Sequence, residues 1–192
     1  MREAHIKRKT AETEINLAIN LDRREPINID TGIGFLDHML HLFAFHAQVA
    51  LTVSAKGDLH IDPHHTTEDV GICLGQAINE ALGDKKGIKR YGSCVMPMDE
   101  ALMQIALDLS NRAHLTFECP LPNSHVGTFD TELIEEFWSA VVQNSRSTTH
   151  IHYIAGKNTH HIIEAVFKGF GQAFREAICI QDDRIPSSKG TL

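Results

Sequence analysis

The sequence predicts an α/β (α+β) fold: one strands–helix–strand–helix unit used twice, giving two mixed sheets covered by helices on one face. Three observations carry this prediction. DPHHTTEDVGICLGQA, from Asp62, and NTHHIIEAVFKGFGQA, from Asn158, share His-His-x-x-Glu followed at equal distance by Gly-Gln-Ala, 96 positions apart. Each is preceded by a second helical pattern, FLDHMLHLF or LIEEFWSAV. Apolar runs with strand character flank these helices in both halves.

Taken in order, Arg2 to Lys9 is a weak strand candidate. Glu14 to Leu21 is a clear one, with Ile15, Leu17, Ile19 and Leu21 alternating on one face. Asp22 to Pro26 reads as a turn. Thr31 to His46 has helical spacing, with Phe35, Leu36, Met39, Leu42 and Phe43 on one side. Val49 to Ala55 is β-rich, and Leu59 to Asp62 predicts a further short strand. Asp62 is placed to cap a helix with Pro63 at its first position, running to about Leu82 and stopping near Gly83. The second half repeats this order. Ser93–Met98, Met103–Leu109 and Ala113–Glu118 read as strands, Asp130–Asn144 as a helix and Thr148–Ile154 as a strand. Asn158 or Thr159 caps a last helix to about Ile178, and QDDRIPSSKGTL is a polar tail. No linker interrupts the region near residue 90. One compact unit is therefore expected: two repeats, about 1–91 and 92–182, around a pseudo-twofold axis, plus a tail at 183–192.

The bulk properties narrow the function. A net charge of -7 argues against a general nucleic-acid or anionic-membrane binder. The four cysteines, Cys73, Cys94, Cys119 and Cys179, are scattered with no C-x-x-C pair. That fits a reduced, cytoplasmic compartment. No signal-peptide core and no run of 18 apolar residues is present. Neither a P-loop nor a dinucleotide fingerprint occurs. The outlier is histidine, thirteen in all, and histidine is the commonest metal ligand.

The repeated motif suggests a use for them. Glu68 lies four residues after His64 and three after His65, so it shares a helix face with either. The two histidines stand about 100° apart around the axis and do not easily serve one ion together. One joins the glutamate and the other points elsewhere. The same holds for His160, His161 and Glu164. Two such motifs suggest two metals, each drawing ligands from both repeats, with some ligands from a neighbouring subunit. Aligning the upstream helices pairs His38 with Glu136. The candidate ligands are then His38, His64, His65, Glu68, Glu136, His160, His161 and Glu164, four per ion with positions left for substrate. Imidazole with carboxylate and no thiolate suits Mn²⁺, Fe²⁺, Zn²⁺ or Co²⁺ and leans toward octahedral Mn²⁺. His41 could go either way; the remaining histidines lack repeat support. Arg90 in GIKRYG, Arg112 in DLSNRAHL, Lys168 one turn after Glu164, and Ser187-Ser188-Lys189 are candidate grips for a small anionic substrate.

These residues together resemble the imidazoleglycerol-phosphate dehydratase family of histidine biosynthesis. The resemblance rests on KTAETEI, TGIGFLDHMLHLFAFH, DPHHTTEDVGICLGQA, RYGSCVMPMDEAL, DLSNR, GTFDTELIEEF, AGKNTHHIIEAVFKGF and the PSSKG tail. It implies a duplicated fold like domain 2 of ribosomal protein S5, and conversion of D-erythro-imidazole glycerol phosphate to imidazole acetol phosphate and water. It further implies two Mn²⁺ per active site and a 24-subunit shell built from trimers, with sites at subunit interfaces. The family's metal ligands fall on His38, His64, His65, Glu68, His160, His161 and Glu164. Many members carry histidine where this chain has Glu136, and carboxylate can replace it at manganese. Substrate contacts fall on Glu12, Arg90, Arg112, Lys168, Ser187, Ser188 and Lys189, with Glu12 in an arm that reaches a neighbouring site.

The chemistry explains the metals. The proton to be removed is not next to a carbonyl, so the ring must supply electrons. Two Lewis acids on the ring nitrogens favour a metal-bound imidazolate, which expels the hydroxyl. A carboxylate then takes the neighbouring carbon's proton, with Glu68 or Glu164 nominated for that transfer and Glu12 for positioning the hydroxyl. The competing readings are a metallohydrolase, a metal-storage or metal-sensing shell without turnover, and an RNA-binding module disfavoured by the charge.

Overall fold

In the computed structural model, which describes residues 1–192, the chain begins with the hairpin β1 (Glu3–Lys9) and β2 (Thr13–Asn20). Ile15, Leu17 and Ile19 of β2 are buried while Glu14 and Asn16 face out, as period-2 alternation requires. After the turn comes a strand that the sequence pattern did not indicate, β3 (Ile27–Asp30). It is only four residues long, with half-buried Ile27 and Ile29 too few to show a period. Helix α1 (Gly34–Ala47) starts later than Thr31. The Asp37 carboxylate accepts hydrogen bonds from the Thr31 amide and hydroxyl at 2.9 and 2.5 Å, which holds Thr31 outside the helix.

Strand β4 (Ala50–Gly57) follows. The strand expected at Leu59–Asp62 is instead a turn, closed by the Ile61 amide on the Asp58 carbonyl at 2.8 Å. Helix α2 (His64–Leu82) has Pro63 as its N-cap rather than its first helical residue, and the Asp62 carboxylate accepts from the His64 amide at 2.7 Å. It ends at Gly83, whose φ of +55° is free for glycine.

The second half contains β5 (Tyr91–Met98), β6 (Ala101–Asp108), β7 (His114–Glu118), α3 (Leu133–Ser145), β10 (Thr148–Ala155) and α4 (Thr159–Ala177). Between β7 and α3 lies a two-residue hairpin, β8 (His125–Val126) with β9 (Phe129–Asp130), without counterpart in the first half. It displaces the start of α3 from the expected Asp130. Asn158 caps α4, its side chain accepting from the His161 amide at 3.2 Å.

The two sheets have one plan. Their orders are β1-β2-β4-β3 and β5-β6-β10-β7. In each, three strands are antiparallel and the outer short strand is parallel to its neighbour. Helices cover one face of each sheet, and the two helix layers meet: α1 packs on α4, and α2 on α3. One core of 47 buried residues runs through both halves.

The repeated Gly-Gln-Ala now has a reason. Gly75 and Gly171 are the equivalent glycines of the two copies, and each sits where a partner helix comes closest. A Cβ at Gly75 would lie 2.5 Å from the Val141 carbonyl oxygen of α3. One at Gly171 would lie 2.8 Å from the Phe43 carbonyl oxygen of α1. The absent side chain lets backbone approach backbone. Gly75→Ala is expected to cost about 1–3 kcal/mol through overpacking, read as a lower denaturant midpoint with unchanged slope.

Candidate metal centre

The α1/α4 contact that Gly171 permits also sets the site. His38, on the first turns of α1, faces His160 and Glu164 on the first turns of α4. One ligand-competent atom from each lies within 4.8 Å of the others. His160 Nε2 is 3.2 Å and His38 Nε2 3.8 Å from Glu164 Oε2. Glu164 Oε1 instead accepts from Lys168 Nζ at 2.5 Å, one turn on. The carboxylate is thus divided, one oxygen for the lysine and one turned to the imidazoles. Burial, at 8% exposure, pushes the Glu164 pKa up. The Lys168 hydrogen bond and charge, with His160 and His38, outweigh that and hold it below its ordinary value. Two imidazoles and an ionised carboxylate from two repeats form a donor set that fits a borderline divalent cation.

The adjacent histidine of each pair points elsewhere. His161 Nδ1 is 2.8 Å from Glu100 Oε2. Glu100, in the β5–β6 turn, also accepts from the Asn158 and Lys157 amides at 2.7 and 3.1 Å. These bonds hold the Glu100 carboxyl down at about 2, the His161 hydrogen bond first among them, and push His161 up. His65 Nδ1 likewise meets Asp58 Oδ2 at 2.9 Å, and that bond raises the His65 pKa. Glu12, in the β1–β2 turn, adds to this through its charge. Glu12 and Glu100 therefore occupy equivalent hairpins, each acting on the second histidine of a motif. Asp58 and Glu100 were missed in the sequence, because a carboxylate in a turn carries no local signal of the ring it will meet.

His64, half-buried Glu68 and exposed Glu136 do not join a comparably tight group. Their placement is nevertheless equivalent. Helix α3 packs on α2 as α1 packs on α4, and Glu136 stands to Val141 in sequence as His38 stands to Phe43.

The basic residues divide into two groups. Lys168 belongs to the trio, and its Nζ lies 3.4 Å from Met98 Sδ at the far end of β5. Arg90 lies at the other end. It forks onto Asp108 at 2.6 and 3.0 Å and donates to the Pro186 carbonyl at 2.9 Å. That bond docks the tail, placing Ser187, Ser188 and Lys189 next to it. Exposed Arg112 completes this corner, with Nη2 3.9 Å from Asp108 Oδ2. The two groups are separated by the length of β5, roughly 23 Å at 3.3 Å per residue.

Fold and side chains together define an enzyme of the duplicated α+β kind, with a histidine–carboxylate centre where its repeats meet. The chain belongs to the imidazoleglycerol-phosphate dehydratase family, a family of hydro-lyases, whose model matches residues 31–174. It is 54% identical to the imidazoleglycerol-phosphate dehydratase of Streptococcus sanguinis, over 100% of both chains. Identity to that of Geobacillus thermodenitrificans is 55%, over 100% of this chain and 99% of the other. The crystal structure of the Staphylococcus aureus enzyme superposes with a TM-score of 0.86 at 46% identity, covering 93% of this chain and 99% of that one. No helix is long and apolar enough to cross a membrane.

Proposed function

We propose that this protein dehydrates D-erythro-imidazole glycerol phosphate to imidazole acetol phosphate in histidine biosynthesis, in the cytoplasm, with two Mn²⁺ per active site. The observation that carries the reading is the trio His38, His160 and Glu164, with Lys168 tied to the same carboxylate. His38, His160 and Glu164 would hold one ion. Glu136, His64 and Glu68 stand at the repeat-equivalent place for the other, and His65 and His161, turned to Asp58 and Glu100, are left to serve a neighbouring subunit's ion. Manganese held there would supply Lewis acidity to the substrate's imidazole ring.

The protein's own groups account for the rest. The hydroxyl leaves from the carbon bonded to the ring, and the next carbon loses its proton, giving an enol that becomes the ketone. Glu164, buried yet ionised, is suited to accept that proton, and Glu68 is its counterpart in the first repeat. Glu12 positions the hydroxyl. Arg90, Arg112, Lys168 and the Ser187–Lys189 segment hold the phosphate, and that remote binding orients the reacting carbons.

The split between the two basic groups supports a site completed by a second subunit. A substrate of this size does not span roughly 23 Å of β5, so one chain's corner serves another chain's centre. This agrees with a 24-subunit shell built from trimers with interfacial sites. Verified metal removal by EDTA is expected to shrink the particle toward trimers, and a full-size metal-free particle would contradict the shared ligands.

The deciding experiment is turnover by EDTA-stripped protein with and without added Mn²⁺, following the ketone. Activity only with metal is expected. No activity from a verified Mn²⁺-loaded assembly would overturn the dehydratase reading. The Glu100–His161 bond gives a second test. Losing a carboxylate that orients a ligating imidazole weakens metal binding about 10–100-fold. Glu100→Gln should therefore lower the Mn²⁺ bound per subunit at limiting metal. Unchanged occupancy would remove His161 as an oriented ligand.

A further inference from the structure

Lys85 is the one charged side chain among the largest fully buried groups, only 1% exposed. It follows the end of α2 in a left-handed conformation, φ +60°. Its Nζ donates to Asn111 Oδ1 at 2.6 Å, and no carboxylate comes within ion-pair distance. The nearest candidate, Asp108, is already forked onto Arg90 and faces Arg112. A buried, hydrogen-bonded but unpaired ammonium is costly. Burial lowers its pKa to about 8, with Arg146 and Arg90 pushing the same way against Asp108. Fold stability alone gives no reason for such a group, since an unbranched apolar chain would fill the space.

Its partner supplies a reason. Asn111 is also left-handed, φ +60°, and is the middle residue of the turn Ser110–Arg112. The Ser110 hydroxyl accepts from the Arg112 amide at 3.3 Å, so the turn is tied on one side by serine and on the other by lysine. We propose that Lys85 is a positioning residue for the phosphate end of the substrate: through Asn111 it holds the turn that presents Arg112 beside Arg90, and its charge adds to the attraction for a dianion. This rests on the reading of Arg90 and Arg112 as the phosphate grip. Within one chain, Lys85, Arg90 and Arg112 lie around Asp108, which pairs only with the two arginines and leaves the positive charge in excess. An arriving phosphate relieves that mutual repulsion.

The test uses the Mn²⁺-loaded assembly with inorganic phosphate as the probe. Lys85→Met keeps an unbranched side chain, one atom shorter, and removes the charge. The expected result is a melting temperature equal to or above that of the unsubstituted protein, a smaller rise of that temperature with phosphate, and a KM raised about tenfold with kcat changing less. Asn111→Ala, which leaves the ammonium in place, should raise KM in the same way and carries the test if Lys85→Met does not fold. A Lys85→Met protein that melts lower but keeps its phosphate response and KM would show a purely structural lysine and overturn the proposal. Arg112→Ala separates the two levels: if it leaves KM and the phosphate response unchanged, the phosphate reading of this corner fails, and the role of Lys85 fails with it.

Discussion

Glu164→Gln is expected to lower turnover about 10²–10⁴-fold, the span that a positioned proton-transfer group supplies. The substitution keeps the shape of the side chain and one carbonyl oxygen. It removes the charge that Lys168 and the two histidines are gathered around. Metal content decides what the loss means. Turnover lost with Mn²⁺ retained marks Glu164 as the proton acceptor; both lost together mark it chiefly as a ligand. Unchanged turnover would strike it from the site, leaving Glu68 as the remaining nominee.

Subunit complementation should give the second large effect. A Glu164→Gln protein carries a damaged centre and an intact basic corner. An Arg112→Ala protein carries the reverse. If each site joins one chain's centre to another chain's corner, stripping, mixing equal amounts and reloading with Mn²⁺ makes some sites intact in both parts. Random pairing in a symmetric assembly predicts recovery of about a quarter of full activity, measured at subsaturating substrate. Recovery no greater than the average of the two variants would place centre and corner in one chain, against the length of β5.

Much of this arrangement was legible in the sequence. The matched His-His-x-x-Glu helices revealed the duplication, and the alignment of their upstream helices pointed to His38, which the fold brings to His160 and Glu164. Within each motif the spacing left open which histidine joins the glutamate, since i+3 and i+4 both share a helix face; the fold sets His160 beside Glu164 and turns His161 to Glu100. What stayed hidden depends on contacts between distant segments. Strand β3 has two half-buried isoleucines and exists through its parallel pairing with β4. The β8–β9 hairpin is too short to have a period. The Leu59–Asp62 strand was overestimated, since Ile61 is exposed on a turn rather than packed under a sheet. Asp58 and Glu100 meet His65 and His161 only once the hairpins are folded. Lys85 reads in sequence as one more lysine of a polar turn, and only its burial distinguishes it.

The paired glycines also bear on ancestry. Because Gly75 meets α3 as Gly171 meets α1, the two halves present one and the same docking surface to each other. That is the isologous contact of a homodimer, here joined covalently through the segment between α2 and β5. Two identical half-chains could pair in the same way, but each would have to keep both half-sites identical. Fusion frees the halves to differ. Histidine at position 38 and glutamate at position 136 are such a difference: an imidazole on one side and a carboxylate on the other, which no symmetric dimer of identical halves could encode.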